Sequence, residues 1–535
     1  MLKSAILSLL VALAHAHPKT QKATKVHIPD HAPSTAGVPL ENFVSFSIEF
    51  SYFPDFAGNA THPNTFSNNL LENIAHYSGA KPYVRVGGSS QDNAHFAASQ
   101  QEATTLTFAT PDADQPAHLT FGPAFFESYH TWPNTTFVHG FNLKANTTAD
   151  REAVIESAQV ACRSLRGQLL AWQLGNEPDG YGSGLGGPSA RPAGWNEVDY
   201  VTEWLNLTSA IRQSVQTACP KLAAAEWYAP SFAASPGYSQ LEQIKAWQAG
   251  LDSARTLKVF DTHHYQAVAT DPGITLKSTL LNHSATADSI NILLNQSRLL
   301  HAQPDYPSDL PFIVGEGNSL ARQGRLGLSN TFGAALWTLD ANLLMASNNI
   351  SRFHMHQGTN YRYQAWQPVD TNRTTIGTKA PYYGNIAVAA FLGDLTKAEN
   401  RPQVVNIPLA GGKSQAAYAS FVRGELAKVT LINLQDYNTT VENEYRSTSP
   451  RRSKDFALKI PSSCNSESAT LQRLLANGSD AVTGVTFDGY SYNHELDNGK
   501  PVLLGNVTHA ERIKVGRHGV VNVEVPDSSA VLLSF

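Results

Sequence analysis

Residues 169–180 read LLAWQLGNEPDG. The apolar run from Leu169 to Leu174 has the length and side-chain character of a buried strand, and it stops at Asn176, Glu177 and Pro178. A carboxylate there is costly to desolvate unless it is paired or has chemical work to do. Taken alone, Asn-Glu-Pro also reads as a helix start, with Asn as the cap and Pro in the first turn. The flanking sequence decides between the two readings.

That sequence repeats the pattern. Further strand-like runs occupy 43–50, 82–88, 136–143, 224–230, 258–265, 311–317 and 351–358, which with 169–177 makes a set of eight. Amphipathic stretches lie between them, such as 148–167, where Val154, Ile155, Ala158, Cys162 and Leu165 recur at helical spacing, and 198–219 with Val201, Trp204, Leu205 and Ile211. Eight strand–helix pairs argue for an α/β fold closed into a (β/α)8 barrel over residues 41–397. Beyond residue 398 the chain turns to short β-rich runs with at most one helix-length stretch, at 468–476, which predicts an antiparallel β-sandwich over 398–535. Residues 17–40, with KVHIP at 25–29, precede the barrel and are candidates for an extra sandwich strand.

In such a barrel the chemistry sits at the carboxyl ends of the strands. Glu177 ends the fourth strand and Glu316, in PFIVGEGNS, ends the seventh, so the two face one mouth from opposite sides. Paired carboxyls across a sugar-sized gap are what glycoside hydrolysis needs, one to protonate the leaving oxygen and one to attack the anomeric carbon or activate water. By analogy with barrel glycosidases that carry glutamates on strands four and seven, Glu177 is the expected acid/base, Glu316 the nucleophile, and Asn176 a partner for the sugar 2-hydroxyl. The acid must start protonated and the nucleophile ionised, so activity on the acidic side is expected. His264 and Tyr265, ending strand six, are expected to hydrogen-bond Glu316 and hold it ionised and oriented. Glu49 ends strand one and Ser89 and Ser90 follow strand two; these and Tyr361, after strand eight, are candidate substrate contacts.

The bulk composition narrows the partners. With a net charge of -5 and 16% charged residues there is no broad basic field for nucleic acid or a long polyanion. The one dense basic cluster, Arg451, Arg452 and Lys454, reads as a solvated loop. Lys3, the apolar run Ala5–Leu13 and Ala14-His15-Ala16 have the form of a cleaved secretory signal over residues 1–16, too short to anchor the chain in a membrane. Secretion is in keeping with the Asn-x-Ser/Thr sites at Asn59, Asn134, Asn146, Asn206, Asn282, Asn295, Asn349, Asn372, Asn438, Asn477 and Asn506, which predict N-linked glycans. The cysteines are Cys162, Cys219 and Cys464. They form no zinc pattern, and Cys162 and Cys219, on successive helices, are either a bridge or two inert thiols.

The segments FSIEFSYFPDFAGN (46–59), YVRVGGSSQDNAHF (83–96), WQLGNEPDGYG (172–182), FDTHHY (260–265) and PFIVGEGNSLARQG (311–324) together resemble glycoside hydrolase family 79, the β-glucuronidase and heparanase family, and especially its secreted fungal members. The resemblance implies retaining hydrolysis of β-linked glucuronic acid or its 4-O-methyl ether, with no metal or organic cofactor. In that family backbone amides of a Tyr-Gly stretch after the nucleophile, and a Tyr after strand eight, meet the sugar carboxylate. Tyr361 is similar to the latter; Ala321, Arg322, Gln323 and Gly324 stand where the former belongs, so the Tyr is missing. The amides of Arg322 and Gln323 take its place in this reading, with Arg322 or Arg325 as a charged contact or as a solvated loop cation. No basic groove for a sulfated chain is evident, and the aromatic loop after strand one is expected to wall off one end, which favours exo action. The alternatives are a barrel glycosidase for neutral β-sugars, of xylanase or β-glucosidase type, and a carbohydrate-binding protein without catalysis.

Overall fold

The computed structural model describes residues 23–182, 189–410, 412–440, 446–505 and 507–535. The expected signal segment and Asn506 lie outside the described residues. The expected eight strands are present: β1 (Val44–Glu49), β2 (Val84–Gly87), β3 (Phe137–Phe141), β4 (Leu169–Leu174), β5 (Trp227–Phe232), β6 (Leu257–Val268), β7 (Phe312–Ala321) and β8 (Phe353–Gln357). Each pairs in parallel with the next, and β8 pairs in parallel with β1, closing the barrel.

Alternate side chains of a barrel strand point inward, and here they build distinct layers. Val138, Ala171, Tyr228, Val259 and Ile313 form a small apolar cluster of their own. Two residues further along their strands, Gln173 and Asp261 continue the inward row, joined through Ser231 by hydrogen bonds of 2.5 Å and 2.7 Å. The outward positions pack on helices Thr65–Ser78, Thr148–Ser164, Glu197–Ala218, Gln243–Gln248, His283–His301, Phe332–Ser347 and Ala380–Leu392.

One connection departs from the strand–helix alternation. Between β2 and β3 the chain forms a three-stranded sheet (Ala94–Phe96, Thr104–Thr107, His118–Phe121) and a 3-10 segment, Pro123–His130. Thr-rich alternation in TTLT (104–107) and HLTF (118–121) favours strand over helix there.

The C-terminal part is a sandwich. A nine-stranded sheet that includes Gln415–Val422, Glu425–Asn433 and Ser529–Ser534 faces a three-stranded one made of Thr24–His27, Ser453–Lys459 and Val520–Pro526. Their apolar faces share one core containing Val26, Val429, Leu431, Phe456, Leu458, Val523 and Leu533. Thr24–His27 therefore is a sandwich strand, and it runs parallel to Ser453–Lys459 where its neighbours are antiparallel. The stretch at 468–476 is the strand Ser468–Leu475, not a helix; it is held between Ser529–Ser534 and Glu511–Lys514 with Ala469, Leu471 and Leu474 buried. Phe332–Ser347 and Ala380–Leu392 are buried at every residue, with Tyr418 of the sandwich donating to Asp340 Oδ1 at 2.6 Å. This covering explains why both helices are apolar on all faces.

Arg451, read as a solvated cation, is instead a clamp: its guanidinium donates to the carbonyls of Asp527, Ala476 and Ser528, each at 2.7 Å. Asn438 is buried, and its Oδ1 accepts from Ser479 Oγ at 2.6 Å. Cys162 and Cys219, 57 positions apart in the chain, form a disulfide with Cα atoms 6.1 Å apart. Opening a loop of that size in the unfolded state costs stability, so Cys162→Ala with Cys219→Ala is expected to destabilise the fold by about 2–4 kcal/mol. Chemical denaturation of the double variant checks this, with activity at 25 °C unchanged.

Candidate active site

Glu177 sits at the end of β4 with φ 48°, a left-handed conformation uncommon for a non-glycine residue and worth about 1–3 kcal/mol of strain. Its surroundings impose that geometry. The N–H of Glu177 donates to Ser231 O at 2.9 Å, and the N–H of Asn176 donates to Asp92 Oδ2 at 2.8 Å. Asp92 also accepts from Leu143 N at 3.1 Å and from the Tyr181 hydroxyl, so one buried carboxylate pins the turn to β3 and to the residues beyond it. His263 Nδ1 lies 3.0 Å from Glu177 Oε1.

Glu316, from β7, is 4% exposed and faces an unusually dense set of partners. Arg85 Nη1 donates to its Oε2 at 2.5 Å, and the Tyr265 hydroxyl donates to its Oε1 at 2.7 Å. His356 Nδ1 is 3.7 Å and His263 Nδ1 4.0 Å from Oε2. Burial pushes the Glu316 pKa up, but His356, His263 and Arg85, with the Tyr265 hydrogen bond, outweigh it and hold the carboxyl well below the ordinary range. The same carboxylates pull the other way on the imidazole: burial lowers the His263 pKa, and Glu316 and Glu177 together raise it above its ordinary value. Arg85 is fully buried, and its other hydrogens go to Gln173 Oε1 at 2.7 Å, Asn176 Oδ1 at 2.7 Å and Ser47 Oγ at 2.9 Å.

Carboxylate oxygens of Glu177 and Glu316 lie, with His263 Nδ1, within 4.8 Å of one another. These are also donor types for a cation, but the guanidinium already on Glu316 Oε2 supplies the positive charge at that point. Both carboxyls line a cavity of about 660 Å³ with Glu49, Ser89, Gln115, Tyr238, Arg322, Gln323, His356 and Tyr363. Two carboxyls at this spacing, one firmly ionised, suit attack on an anomeric carbon by one and proton transfer by the other.

The sequence places this site among known enzymes. Residues 417–532 match the glycosyl hydrolase family 79 C-terminal beta domain. A β-glucuronidase of Aspergillus niger is 48% identical, over 99% of this chain and 98% of its own length. The chain belongs to glycosyl hydrolase family 79. A β-glucuronidase of Neurospora crassa is 43% identical, over 97% of this chain and 98% of its own. Among solved structures, a 4-O-α-L-rhamnosyl-β-D-glucuronidase from Fusarium oxysporum aligns with a TM-score of 0.75 at 22% identity, over 96% of this chain and 100% of its own. A family 51 α-L-arabinofuranosidase from Bifidobacterium longum aligns with a TM-score of 0.61 at 11% identity, over 97% of this chain and 100% of its own. These last two likenesses speak to the fold: a glycosidase barrel with a β-sandwich. As a family 79 member this chain is a glycoside hydrolase, and carbohydrate is its substrate.

Several expected contacts of the family 79 chain fall elsewhere. His264 does not reach Glu316: its Nε2 is 2.9 Å from Ser289 Oγ on the flanking helix, and burial pushes its pKa down to about 4. Neighbouring strand residues face opposite sides, so with Tyr265 inward His264 must point outward, and His263 takes the inward place. Ser90 is buried behind the cavity, donating through N and Oγ to Glu49 Oε1 at 2.8 Å and 2.5 Å. Tyr361 is also behind it, its hydroxyl on Glu49 Oε2 at 3.0 Å, while Tyr363 lines the cavity. Arg322 and Gln323 reach the cavity on a left-handed turn, with φ 62° and 61°, and among the described residues their N–H groups meet no protein acceptor. Arg325 is exposed and outside the lining. The residues after β1 do not form the end wall; Phe50–Ala57 folds into short helical turns, and Gln115 of the β2–β3 insertion reaches Glu49 Oε2 at 3.0 Å instead. Arg362 secures that insertion by two 2.7 Å bonds to Asp114. Sequence reasoning passes over Arg85, His263, His356, Gln115, Tyr238 and Tyr363. Among the described residues no helix is long and apolar enough to cross a membrane.

Proposed function

We propose that this hydrolase is a secreted, exo-acting β-glucuronidase that removes terminal β-linked glucuronic acid or its 4-O-methyl ether with retention of configuration. The observation that carries the mechanism is the carboxyl separation: oxygens of Glu177 and Glu316 within 4.8 Å of each other fit the roughly 5 Å of a retaining pair, whereas an inverting pair needs about 6.5–9.5 Å to admit water. Glu316 attacks C1 as the C1–O bond breaks, and Glu177 gives its proton to the departing oxygen. Water then attacks C1 of the glycosyl-enzyme, Glu177 takes the water proton, and the Glu316 carboxylate leaves.

The remaining residues divide around the sugar. Asn176, oriented by Arg85, serves the 2-hydroxyl, whose hydrogen bond strengthens as charge develops on the ring. Glu49, Ser89 and Gln115, which line the cavity, serve the sugar hydroxyls. The uronate is met by the free N–H groups of Arg322 and Gln323, by the Arg322 guanidinium and by the Tyr363 hydroxyl, charge-assisted donors suited to a carboxylate. Secretion and N-glycosylation follow from the leader and sequon pattern.

The test is hydrolysis of 4-nitrophenyl β-D-glucuronide, β-D-xyloside and β-D-glucoside in parallel, with proton NMR of the first product. The glucuronide should be cleaved at least about a hundredfold faster, because only it fills the carboxylate site, and β-glucuronic acid should appear before the α anomer. Faster cleavage of a neutral glycoside would favour the xylanase or β-glucosidase reading, and the α anomer first would overturn retention.

A further inference from the structure

The segment after β5 is tied to the acid/base turn by one residue. Asp179, two positions beyond Glu177, is fully buried, and its carboxylate accepts from Ala233 N and Ala234 N at 3.0 Å each and from the Ser239 hydroxyl. Its carbonyl accepts from Gln240 N at 2.8 Å, so both ends of the 233–240 strap are fastened to it. Burying an ionised carboxylate is costly; burial pushes this one up to about 6 even with three donors on it. Between the fastened ends stands Tyr238. It lines the catalytic cavity beside Glu177, where burial and the Glu177 charge hold its phenol well above the ordinary pKa, and its ring lies so close to the turn that a Cβ on Gly180 would come within 2.4 Å of it. Glu177 thus has His263 of β6 within hydrogen-bonding distance and Tyr238 of the strap beside it in the cavity.

We propose that Asp179 and Tyr238 are positioning residues for proton donation: Asp179 anchors the strap, and the strap sets Tyr238 so that the Glu177 carboxyl faces the glycosidic oxygen. The inference rests on the reading of Glu177 as the acid/base of a β-glucuronidase. Its consequence is selective. Leaving groups that depart only when protonated depend on the orientation of the acid, whereas good leaving groups depart without it.

The experiment compares kcat/KM on benzyl β-D-glucuronide and 2,4-dinitrophenyl β-D-glucuronide for the full chain, Tyr238→Phe and Asp179→Ala. Tyr238→Phe removes one hydroxyl and keeps the ring, so it remains informative if Asp179→Ala folds poorly. Both variants should lose about tenfold or more on the benzyl substrate and less than about threefold on the dinitrophenyl one, because only the first needs a correctly aimed acid. Equal losses on both substrates would mean a general structural role, and an unchanged benzyl rate would mean no role; either overturns the proposal. If the unsubstituted chain cleaves neither glucuronide, the β-glucuronidase reading itself fails, which is a separate result.

Discussion

Glu316→Gln is expected to lower kcat on 4-nitrophenyl β-D-glucuronide by at least about 10⁴-fold, or about 5.5 kcal/mol of barrier, while the fold survives. The amide oxygen can still accept from Arg85, which keeps the hydrogen bond though not the counter-charge, but an amide cannot form the glycosyl ester. Glu177→Gln should behave differently. Its loss should approach about 10³-fold on poorly departing aglycones and be far smaller on a dinitrophenyl one, where glycosyl-enzyme accumulates because deglycosylation lacks its base. Azide separates the roles by stereochemistry. With Glu177→Ala it should trap the covalent intermediate as the β-glycosyl azide; with Glu316→Gly it should attack C1 directly from the vacated face and give the α-glycosyl azide. The same anomer from both variants, or full activity in either, would sink the assignment.

The parts of this site that the sequence discloses are those governed by strand position. Glu177 and Glu316 close recognisable apolar runs, and barrel topology alone brings strands four and seven to one mouth. Parity within a strand was equally available: Tyr265 inward fixes His263 inward, so the outward turn of His264 toward Ser289 is readable from spacing two. Arg85 also carries a signal, a cation in the middle of the apolar strand PYVRVGG, where burial demands a partner. Loop positions carry no such periodicity. Whether Tyr361 or Tyr363 enters the cavity depends on how the turn after β8 folds against Glu49 and Gln115, and Gln115 itself comes from an insertion whose Thr-rich strands replace the expected helix. The helix-like spacing at 468–476 loses to the neighbouring sandwich edges that pair with it.

Arg85→Met tests the electrostatic centre of the site. The substitution removes the 2.5 Å bond to Glu316 and the 2.7 Å bond to Asn176 and leaves a carboxylate 4% exposed without its guanidinium. Breaking a buried pair in this way costs about 3–5 kcal/mol of stability at neutral pH. The pH dependence follows from the sign of the shift. The Glu316 carboxyl is held below its unfolded value, so its contribution is full above the unfolded pKa of about 4.3 and is lost as pH falls through the folded value. In the variant the folded value rises, so the deficit against the native chain should be largest near pH 7 and shrink below about pH 4. Activity should show the same displacement: kcat/KM at pH 5 falls by about a hundredfold, and its acidic limb moves to higher pH because the nucleophile protonates sooner. Arg85→Met combined with Glu316→Gln leaves no unpaired buried charge and should be more stable than Arg85→Met alone. A deficit independent of pH, or a double variant less stable than the single one, would mean that Arg85 supports the barrel by packing and not by holding the nucleophile ionised.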